Sequence, residues 1–476
     1  MSKKSSNKKV FSFKKYLVIF LVILSIMFSG LIYFINVLPL EYFWVFIVTL
    51  GIIDVIVSLL LLSNGHVRNL IGGFFSFILI IGMIFGINYS LNTMDFFKQF
   101  GFNEYKIENY NILVLNTSNY KNIKDLNNQV IGCLDKDKYE GLNKAIDKLS
   151  KRISFKSNIS SDVSDLFTKL EENIVNAIIL EDAQISILKE EVSNFDEIIK
   201  SIDVIEVEIK NKDIGKSVDV VNNSFNIYIS GIDTYGSINK VSRSDVNIIM
   251  SVNPTTKEIL LTNIPRDYYV KLHTFGEYDK LTHAGIYGVD ESIHTLEDLF
   301  DTKINYYVKV NFTSLVDIVD ALGGVTVNSK YSFVSQDGYS YKKGENVLDG
   351  KKALSFARER KSFKEGDRVR GENQQLVLTA LINKAMSPKI ITNYVDILKA
   401  LKGKFVTNIS DDEITKLIKM QLEEGSSWSI KSISVNGSDA MDYVYSYKKT
   451  KLYVMKPDEE TVLNAKNNMK KVLENK

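Results

Sequence analysis

Residues Leu348 to Met386, "LDGKKALSFARERKSFKEGDRVRGENQQLVLTALINKAM", predict two helices joined by a charged loop. Apolar residues recur at helical spacing on both sides of the loop, and Asp349 or Gly350 suits the start of the first helix. The second helix is long and amphipathic and covers Arg370 to Met386. Gly366 and Asp367 predict the turn between the helices.

Arginine is scarce in this chain and concentrated near this stretch. Lysine and arginine together number 59, but only eight are arginine, and six of these fall between positions 243 and 370. A guanidinium group is a rigid fork that grips carboxylates and phosphates with two parallel hydrogen bonds. The six therefore predict an anion site; they are Arg243, Arg266, Arg358, Arg360, Arg368 and Arg370.

Two arrangements of the arginines in the loop fit the sequence. Arg358 and Arg360 are two residues apart, so on a helix they would point about 200° apart. Either the chain is extended there, or the helix ends and the two approach a ligand from different edges. Arg370 and Gln374 share one face of the second helix, whose N-terminal N–H groups favour an anion.

The residues before this stretch alternate between short strands and helices. Because such alternation is typical of a sheet covered by helices, the segment predicts an α/β domain. The predicted strands are Phe225–Asp233, Val246–Pro254, Glu258–Asp267 and Ile304–Asn311, and the predicted helices are Tyr287–Phe300 and Ser314–Gly324.

Charged residues follow the predicted strands where ligands bind in α/β sheets. Asp233 ends the first strand, Arg243 and Asp245 precede the next, and Arg266 and Asp267 follow the third. Carboxylates are the ligands that Mg²⁺ prefers, and arginines bind phosphate oxygens. Isolated surface ion pairs would explain any one of these residues but not the whole set on an arginine-poor background.

The N-terminal 90 residues predict a membrane anchor. After a lysine-rich tail, Tyr16 to Leu40 has no charge over 25 residues, enough to cross a hydrocarbon core of ~30 Å. Further apolar runs cover Tyr42–Ser63 and Leu70–Tyr89. The positive-inside rule puts the tail and Arg68 in the cytoplasm and everything after the third span outside. Asp54 in the second span is either functional or simply faces the other two helices.

The chain therefore divides into four segments. Residues 1–15 are expected to form a basic cytoplasmic tail, 16–90 three transmembrane helices, 91–215 a small extracellular α/β accessory domain, and 216–476 a larger α/β domain that holds the clustered arginines. A net charge of +2 gives no general attraction to nucleic acid. One cysteine and four scattered histidines do not suit a zinc site.

Seven segments between Ser224 and Pro388 resemble, in order, the motifs of the LytR–CpsA–Psr (LCP) family, which attaches glycopolymers to the Gram-positive cell wall. The segments are "GID" with Asp233, "SRSD", "IPRD", "KLTHAGIYG", "DALGGV", "LDGKKALSFARERK" and "GDRVRGENQQ". The three spans and the accessory domain are similar to capsule-associated streptococcal members. The resemblance implies an α/β/α layered domain with a central mixed sheet.

The resemblance also implies an activity, a phosphotransferase dependent on Mg²⁺ or Mn²⁺. The enzyme would move capsular polysaccharide or a similar glycopolymer from a polyprenyl-pyrophosphate carrier onto a peptidoglycan hydroxyl. A phosphodiester would form and polyprenyl phosphate would leave. The implied partners are these two substrates, the bilayer and membrane proteins of capsule assembly, with no nucleic acid.

Site residues follow from the same motifs. Asp233 and Asp245 would bind the metal, and Arg266 and Asp367 would be catalytic. His283 stands where the family usually has Asn, and it fits either a base or a structural histidine. The residues implied to bind the pyrophosphate are Arg243, Arg266, Lys280, Arg358, Arg360, Arg370 and Gln374.

Two alternative functions would also explain the clustered arginines. One is a non-catalytic regulator that binds polyprenyl phosphate, and the other is a pyrophosphatase that hydrolyses the same lipid. Asp233 and Asp245 favour catalysis, because a receptor for anions gains little from carboxylates beside its ligand.

Overall fold

The computed structural model describes residues 2–36, 38–99, 105–210, 214–232, 238, 242–387, 401 and 403–475. The chain separates into two compact units. The first comprises residues 1–100, 391–402 and 410–426, and the second comprises 101–390, 403–409 and 427–476.

The first unit begins with α1 (Ser2–Ile35), α2 (Leu40–Leu62) and α3 (His66–Gln99). Within the described residues, three segments of these helices are long and apolar enough to cross a membrane: Phe13–Ile35, Leu40–Leu62 and His66–Asn92. They coincide with the three predicted apolar runs. Asp54 is buried between the helices, as expected of a residue that faces the other two.

An α/β sheet opens the second unit. Its strands lie in the order β3-β2-β4-β1-β5, and β2 runs parallel to both β3 and β4. Leu142 and Leu149 on the helix Glu140–Ser150 are buried. The elements are β1 (Tyr105–Leu115), β2 (Val130–Cys133), α4 (Glu140–Ser150), β3 (Lys156–Ile159), α5 (Val163–Glu171), β4 (Ala177–Glu181), α6 (Asp182–Glu191), α7 (Phe195–Ile198) and β5 (Ile199–Lys210).

The next elements build most of a second sheet and its first helices. They are β6 (Phe225–Ile232), β7 (Ser244–Asn253), β8 (Glu258–Ile264), β9 (Tyr269–Lys271), β10 (Tyr278–Lys280), α8 (Leu281–Ala284), α9 (Val289–Phe300), β11 (Tyr306–Asn311) and α10 (Phe312–Ala321).

The remaining elements complete both units, α13 belonging to the first. They are β12 (Val325–Ser329), β13 (Phe333–Val334), β14 (Ser340–Tyr341), β15 (Gly344–Leu348), α11 (Gly350–Arg358), α12 (Asp367–Ala385), β16 (Phe405–Thr407), α13 (Asp411–Glu424), β17 (Ser429–Ser434), β18 (Gly437–Val444), β19 (Tyr447–Pro457) and α14 (Glu459–Glu474).

This second sheet is mixed and has the order β16-β11-β6-β7-β8-β17. β11 pairs parallel to β6, whereas β7 pairs antiparallel to both β6 and β8. Because side chains alternate along a strand, Tyr228 packs in one core with Leu296 of α9 and Ala465 of α14, while Ile229 faces a cavity shared with α12. The predicted α/β/α layers and central mixed sheet are confirmed.

The helix pair that contains the clustered arginines is present, with one difference in its turn. The first helix ends at Arg358, so the arrangement in which the helix stops between the two arginines is the one observed. Gly366 has φ 44° just before α12, a value that favours glycine. Asp367 is the first residue of α12, so the prediction that it lies in the turn was wrong by one position.

The β18–β19 hairpin ties the accessory domain to the second sheet. Val444, Tyr447 and Leu452 are buried in the same hydrophobic cluster as the core of the accessory domain. The backbone N–H of Lys448 donates to Ser164 Oγ at 3.2 Å. The two sheets are therefore joined by apolar packing as well as by the covalent chain.

Candidate active site

An apolar cavity of about 460 Å³ lies between the mixed sheet and helices α10, α11 and α12. Its walls come from alternate residues of β6 and β7 and from the inward faces of the helices. A cavity of this size and lining suits a hydrocarbon chain rather than a polar ligand. The apolar lining includes Ile229, Ile248, Met250, Leu354, Leu378 and Leu381.

Four charged residues and one glutamine from separate elements line part of this cavity. Asp245 comes from β7, Arg266 follows β8, Arg358 ends α11, and Arg370 and Gln374 lie one turn apart on α12. The Arg358 guanidinium carbon lies 4.0 Å from the centre of the Phe312 ring, so a cation–π contact holds this side chain. The cavity thus joins an apolar chamber to a group of cations.

Arg266 is at the centre of the charged group. Its Nη1 donates to Asp245 Oδ1 at 2.9 Å, its Nη2 lies 3.0 Å from Glu190 Oε1, and its Nε lies 3.5 Å from Asp267 Oδ2. Only 11% of the side chain is exposed. Burial by itself would lower the pKa of Arg266, but Asp245, Asp267 and Asp367 outweigh burial and raise that pKa. Arg266 is therefore a permanent cation held by carboxylates.

A polar groove of about 670 Å³ lies on the other side of Arg266, which lines both spaces. Lys280, Arg360 and Asp367 line the groove. Arg370 on the cavity side pairs with Asp367 on the groove side. Arg266 and the Arg370–Asp367 pair thus form the junction between an apolar chamber and a polar, accessible groove.

Asp367 is a carboxylate in an unusual environment. Burial raises the pKa of Asp367 above its ordinary value and nearby Asp267 adds to the effect, while Arg370, Arg266 and Arg360 oppose it. A carboxylate with a raised pKa is a stronger base than an exposed one, and such groups are common in active sites.

Asp245 has the opposite character. Burial would raise its pKa, but Arg266, Arg243 and Arg370 outweigh burial and lower it, so the side chain is a carboxylate at neutral pH. Its Oδ1 accepts hydrogen bonds from Arg266 and, at 3.1 Å, from Thr282. Asp233, the other predicted metal ligand, lies outside the described residues.

This donor set is compatible with magnesium. Mg²⁺ is usually held by one or two carboxylates together with substrate phosphates and water. Asp245 supplies one charged oxygen donor beside the arginines. Within the described residues there is no group of three or more His, Cys, Asp or Glu side chains that could hold a metal.

Comparison with known proteins agrees with this architecture. The LytR_cpsA_psr family model matches residues 186–471, more than half of the chain. The chain belongs to the LytR_cpsA_psr family. This membership confirms the resemblance inferred from the seven sequence segments.

Two relatives are named as polyisoprenyl-teichoic acid–peptidoglycan teichoic acid transferase TagU. The protein from Bacillus licheniformis is 35% identical over 241 residues, which are 50% of this chain and 78% of that protein. The one from Bacillus subtilis is 38% identical over 207 residues, 43% and 67% of the two chains. The crystal structure of B. subtilis TagV matches 53% of this chain and 98% of its own, at 29% identity and a TM-score of 0.45.

The remaining predicted residues lie around the junction or close to it. Arg243 contacts Glu190, and burial lowers its pKa. Lys280 is buried, with its Nζ 3.4 Å from Asp267 Oδ1. Arg360 lines the groove and not the apolar cavity. The structure therefore brings together all the predicted site residues that it describes, on two sides of Arg266.

His283 has the geometry of a structural histidine. It is buried, and its Nδ1 lies 2.7 Å from Asp279 Oδ1 and 2.8 Å from Ser446 Oγ. It lines neither the apolar cavity nor the polar groove. Of the two roles open for His283, these contacts favour the structural one.

Sequence reasoning missed two parts of the site. The cavity lining comes from ordinary apolar positions on strands and helices, and only the alternation along β6 and β7 hinted at which residues face it. Glu190 lies in the run "KEEV" of α6 in the accessory domain. Nothing in that run distinguishes Glu190 from Glu191, so the contact with the arginines could not be foreseen.

Proposed function

We propose that this LytR_cpsA_psr family member is a membrane-anchored phosphotransferase that moves a glycopolymer from a polyprenyl-pyrophosphate carrier onto peptidoglycan. One observation carries the proposal: an apolar cavity, sized for a hydrocarbon chain, has Asp245, Arg266, Arg358 and Arg370 at its charged side. A lipid with a charged phosphate head and a long prenyl tail needs this combination. The names of the relatives support a teichoic acid as the polymer. Capsular polysaccharide is the second candidate polymer, because the three spans and the accessory domain resemble those of capsule-associated family members.

The proposed reaction is a single phosphoryl transfer at the junction. An acceptor hydroxyl oxygen in the polar groove attacks the phosphorus that carries the glycan, and the phosphoanhydride bond to the prenyl phosphate breaks. Asp367 takes the hydroxyl proton as general base. Arg266 and Arg370 stabilise the charge on the phosphoryl oxygens, so catalysis consists mainly of positioning and charge neutralisation. Polyprenyl phosphate is the leaving group, and its prenyl chain lies in the cavity during the reaction.

We further propose that Asp245, together with Asp233, holds Mg²⁺ or Mn²⁺ against the substrate phosphates. A bound divalent cation would supply additional neutralisation of phosphate charge. Support comes from the charged state of Asp245 and from its place among the phosphate-binding arginines.

The proposed orientation puts the N-terminus in the cytoplasm and the catalytic domain outside. Support comes from the three apolar helices and from the lysine-rich tail, which the positive-inside rule assigns to the cytoplasm. Protease added to intact cells is expected to remove the C-terminal domain. A C-terminus that is protected until the membrane is opened would overturn the orientation.

A reconstituted transfer assay tests the function. Purified full-length protein is given a polyprenyl-pyrophosphate glycan, Mg²⁺ and peptidoglycan fragments, with teichoic acid and capsular polymers in parallel. We expect covalently linked glycan, and loss of product with a chelator. Leu378→Trp, which fills the cavity, is expected to lower transfer at least tenfold, and Asn383→Trp on an exposed part of the same helix is the control.

The products separate the alternatives. Lipid binding with no covalent product would favour the regulator that binds polyprenyl phosphate. Free glycan phosphate, formed with water as acceptor, would favour the pyrophosphatase. Equal activity of the Leu378→Trp and Asn383→Trp proteins would show that the prenyl chain does not use this cavity.

A further inference from the structure

Glu190 belongs to the accessory domain but contacts the site of the catalytic domain. It lies near the C-terminal end of α6. Its two carboxylate oxygens pair with Arg243 and with Arg266, the latter at 3.0 Å. These are two of the arginines expected to bind the phosphates of the donor.

The position of Glu190 is set by the accessory domain. α6 begins with a capping box between Glu181 and Gln184. Ile187 and Leu188, just before Glu190, are buried in the core of the accessory domain. The cap and this buried face fix the position of α6 and hence that of Glu190.

The contact is not one that α6 needs for its own stability. A carboxylate near the C-terminal end of a helix is opposed by the partial negative charge of that end. Removing this charge should not weaken the helix. A negative charge at Glu190 is favoured instead by Arg243 and Arg266.

Of the three carboxylates within 3.5 Å of the Arg266 guanidinium group, that of Glu190 is the most exposed and therefore the easiest for a ligand to replace. Asp245 and Asp267 have side chains only 11% and 7% exposed, whereas that of Glu190 is 32% exposed. Displacing a buried carboxylate would leave an unpaired charge in the protein at high cost. Displacing Glu190 returns its carboxylate to water. Carboxylate and phosphate oxygens accept hydrogen bonds from guanidinium groups in the same way.

We propose that Glu190 competes with the donor phosphates for Arg243 and Arg266, so that the accessory domain determines how tightly the catalytic domain binds its lipid. In the lipid-free enzyme the carboxylate of Glu190 pairs with both arginines. Donor binding displaces it, and departure of the product lets it return. Because linkage is reciprocal, donor binding also weakens the contact between the accessory domain and the site. The inference rests on the proposed function, since it takes both arginines as phosphate ligands.

Binding measurements on the full-length protein in detergent test the competition. The probes are farnesyl pyrophosphate and farnesyl phosphate at fixed ionic strength. Glu190→Gln is expected to lower the Kd for farnesyl pyrophosphate about tenfold, because it removes a carboxylate that pairs with two arginines; tenfold is about 1.4 kcal/mol, or about half of that for each pair. The matched control is Asp196→Asn, which removes a carboxylate of the same domain that pairs with Lys189 at 2.7 Å. Its Kd is expected to stay at the wild-type value.

A second variant distinguishes competition from a structural role. If Glu190 acts through the arginines, its removal should matter much less in an Arg243→Ala background, where we expect a change in Kd of less than threefold. Unchanged or weaker binding by a correctly folded Glu190→Gln protein would overturn the proposal, because it would mean that Glu190 only positions the arginines. A full tenfold gain in the Arg243→Ala background would overturn it too.

The outcomes also separate this inference from the proposed function. Tighter binding by Glu190→Gln, with no glycan transfer by the wild-type protein, would keep the competition and overturn the transferase. Transfer by the wild-type protein, with no change in Kd on Glu190→Gln, would keep the transferase and overturn the competition.

Discussion

Replacement of Arg266 by alanine is expected to lower the rate of glycopolymer transfer by about 10²–10³. Arg266 lines both the apolar cavity and the polar groove, so its guanidinium group lies where the phosphoanhydride bond would break. Loss of one preorganised cation at that point removes stabilisation that only the transition state uses fully. Transfer from a polyprenyl-pyrophosphate glycan under single-turnover conditions measures the effect.

Alanine at this position also leaves carboxylates without a partner. Removing one member of a buried ion pair costs about 3–5 kcal/mol of stability, so Arg266→Ala must be compared with a variant that keeps the charge. Arg266→Lys retains the cation but loses the fork, and we expect it to fold and to remain at least tenfold slower than wild type. Arg152→Ala, which breaks a 2.6 Å pair with Asp203 in the accessory domain, is the control. Wild-type rates in Arg266→Lys would remove Arg266 from the site.

Replacement of Asp367 by asparagine is expected to lower transfer by about 10²–10⁴, the usual contribution of a general base. Asparagine has nearly the same shape and still faces the groove, but it cannot accept the proton of the acceptor hydroxyl. Glu372→Gln on the same helix, which breaks an exposed 3.0 Å pair with Lys330, changes the charge equally and should keep the wild-type rate.

The pH dependence gives a second measure of Asp367. Burial raises its pKa, and only the deprotonated form can act as a base. The wild-type rate should therefore rise with pH as Asp367 loses its proton, and this rise should lie at higher pH than for an exposed aspartate. Asp367→Asn should lose that limb of the profile. An unchanged acidic limb in the variant would assign the titration to another group.

Much of the fold followed from local sequence patterns. The apolar runs of the spans and the strand–helix alternation after residue 224 each depend on residues close together in sequence. These elements are present with boundaries shifted by a few residues, as expected where helix ends depend on caps. The one-position error at Asp367 has the same origin, since the positive φ of Gly366 already completes the turn.

The site was foreseen in its composition but not in its arrangement. The scarcity of arginine made the clustered guanidinium groups conspicuous, and the family resemblance gave them roles. The sequence did not show that Arg358 and Arg370 line the cavity whereas Arg360 and Asp367 line the groove. That division depends on where α11 ends and on which face of α12 meets the sheet.

The sequence by itself determined the membrane anchor, the layered α/β architecture, the family and the set of charged residues. These properties arise from composition, periodicity and motifs, all of which act over short stretches of chain. Only the tertiary structure decided which apolar residues enclose a cavity, that Arg266 lies at its junction with a polar groove, and that Glu190 of α6 contacts Arg243 and Arg266. The contacts of Glu190 join residues more than 50 positions apart, and all three features depend on how whole layers pack.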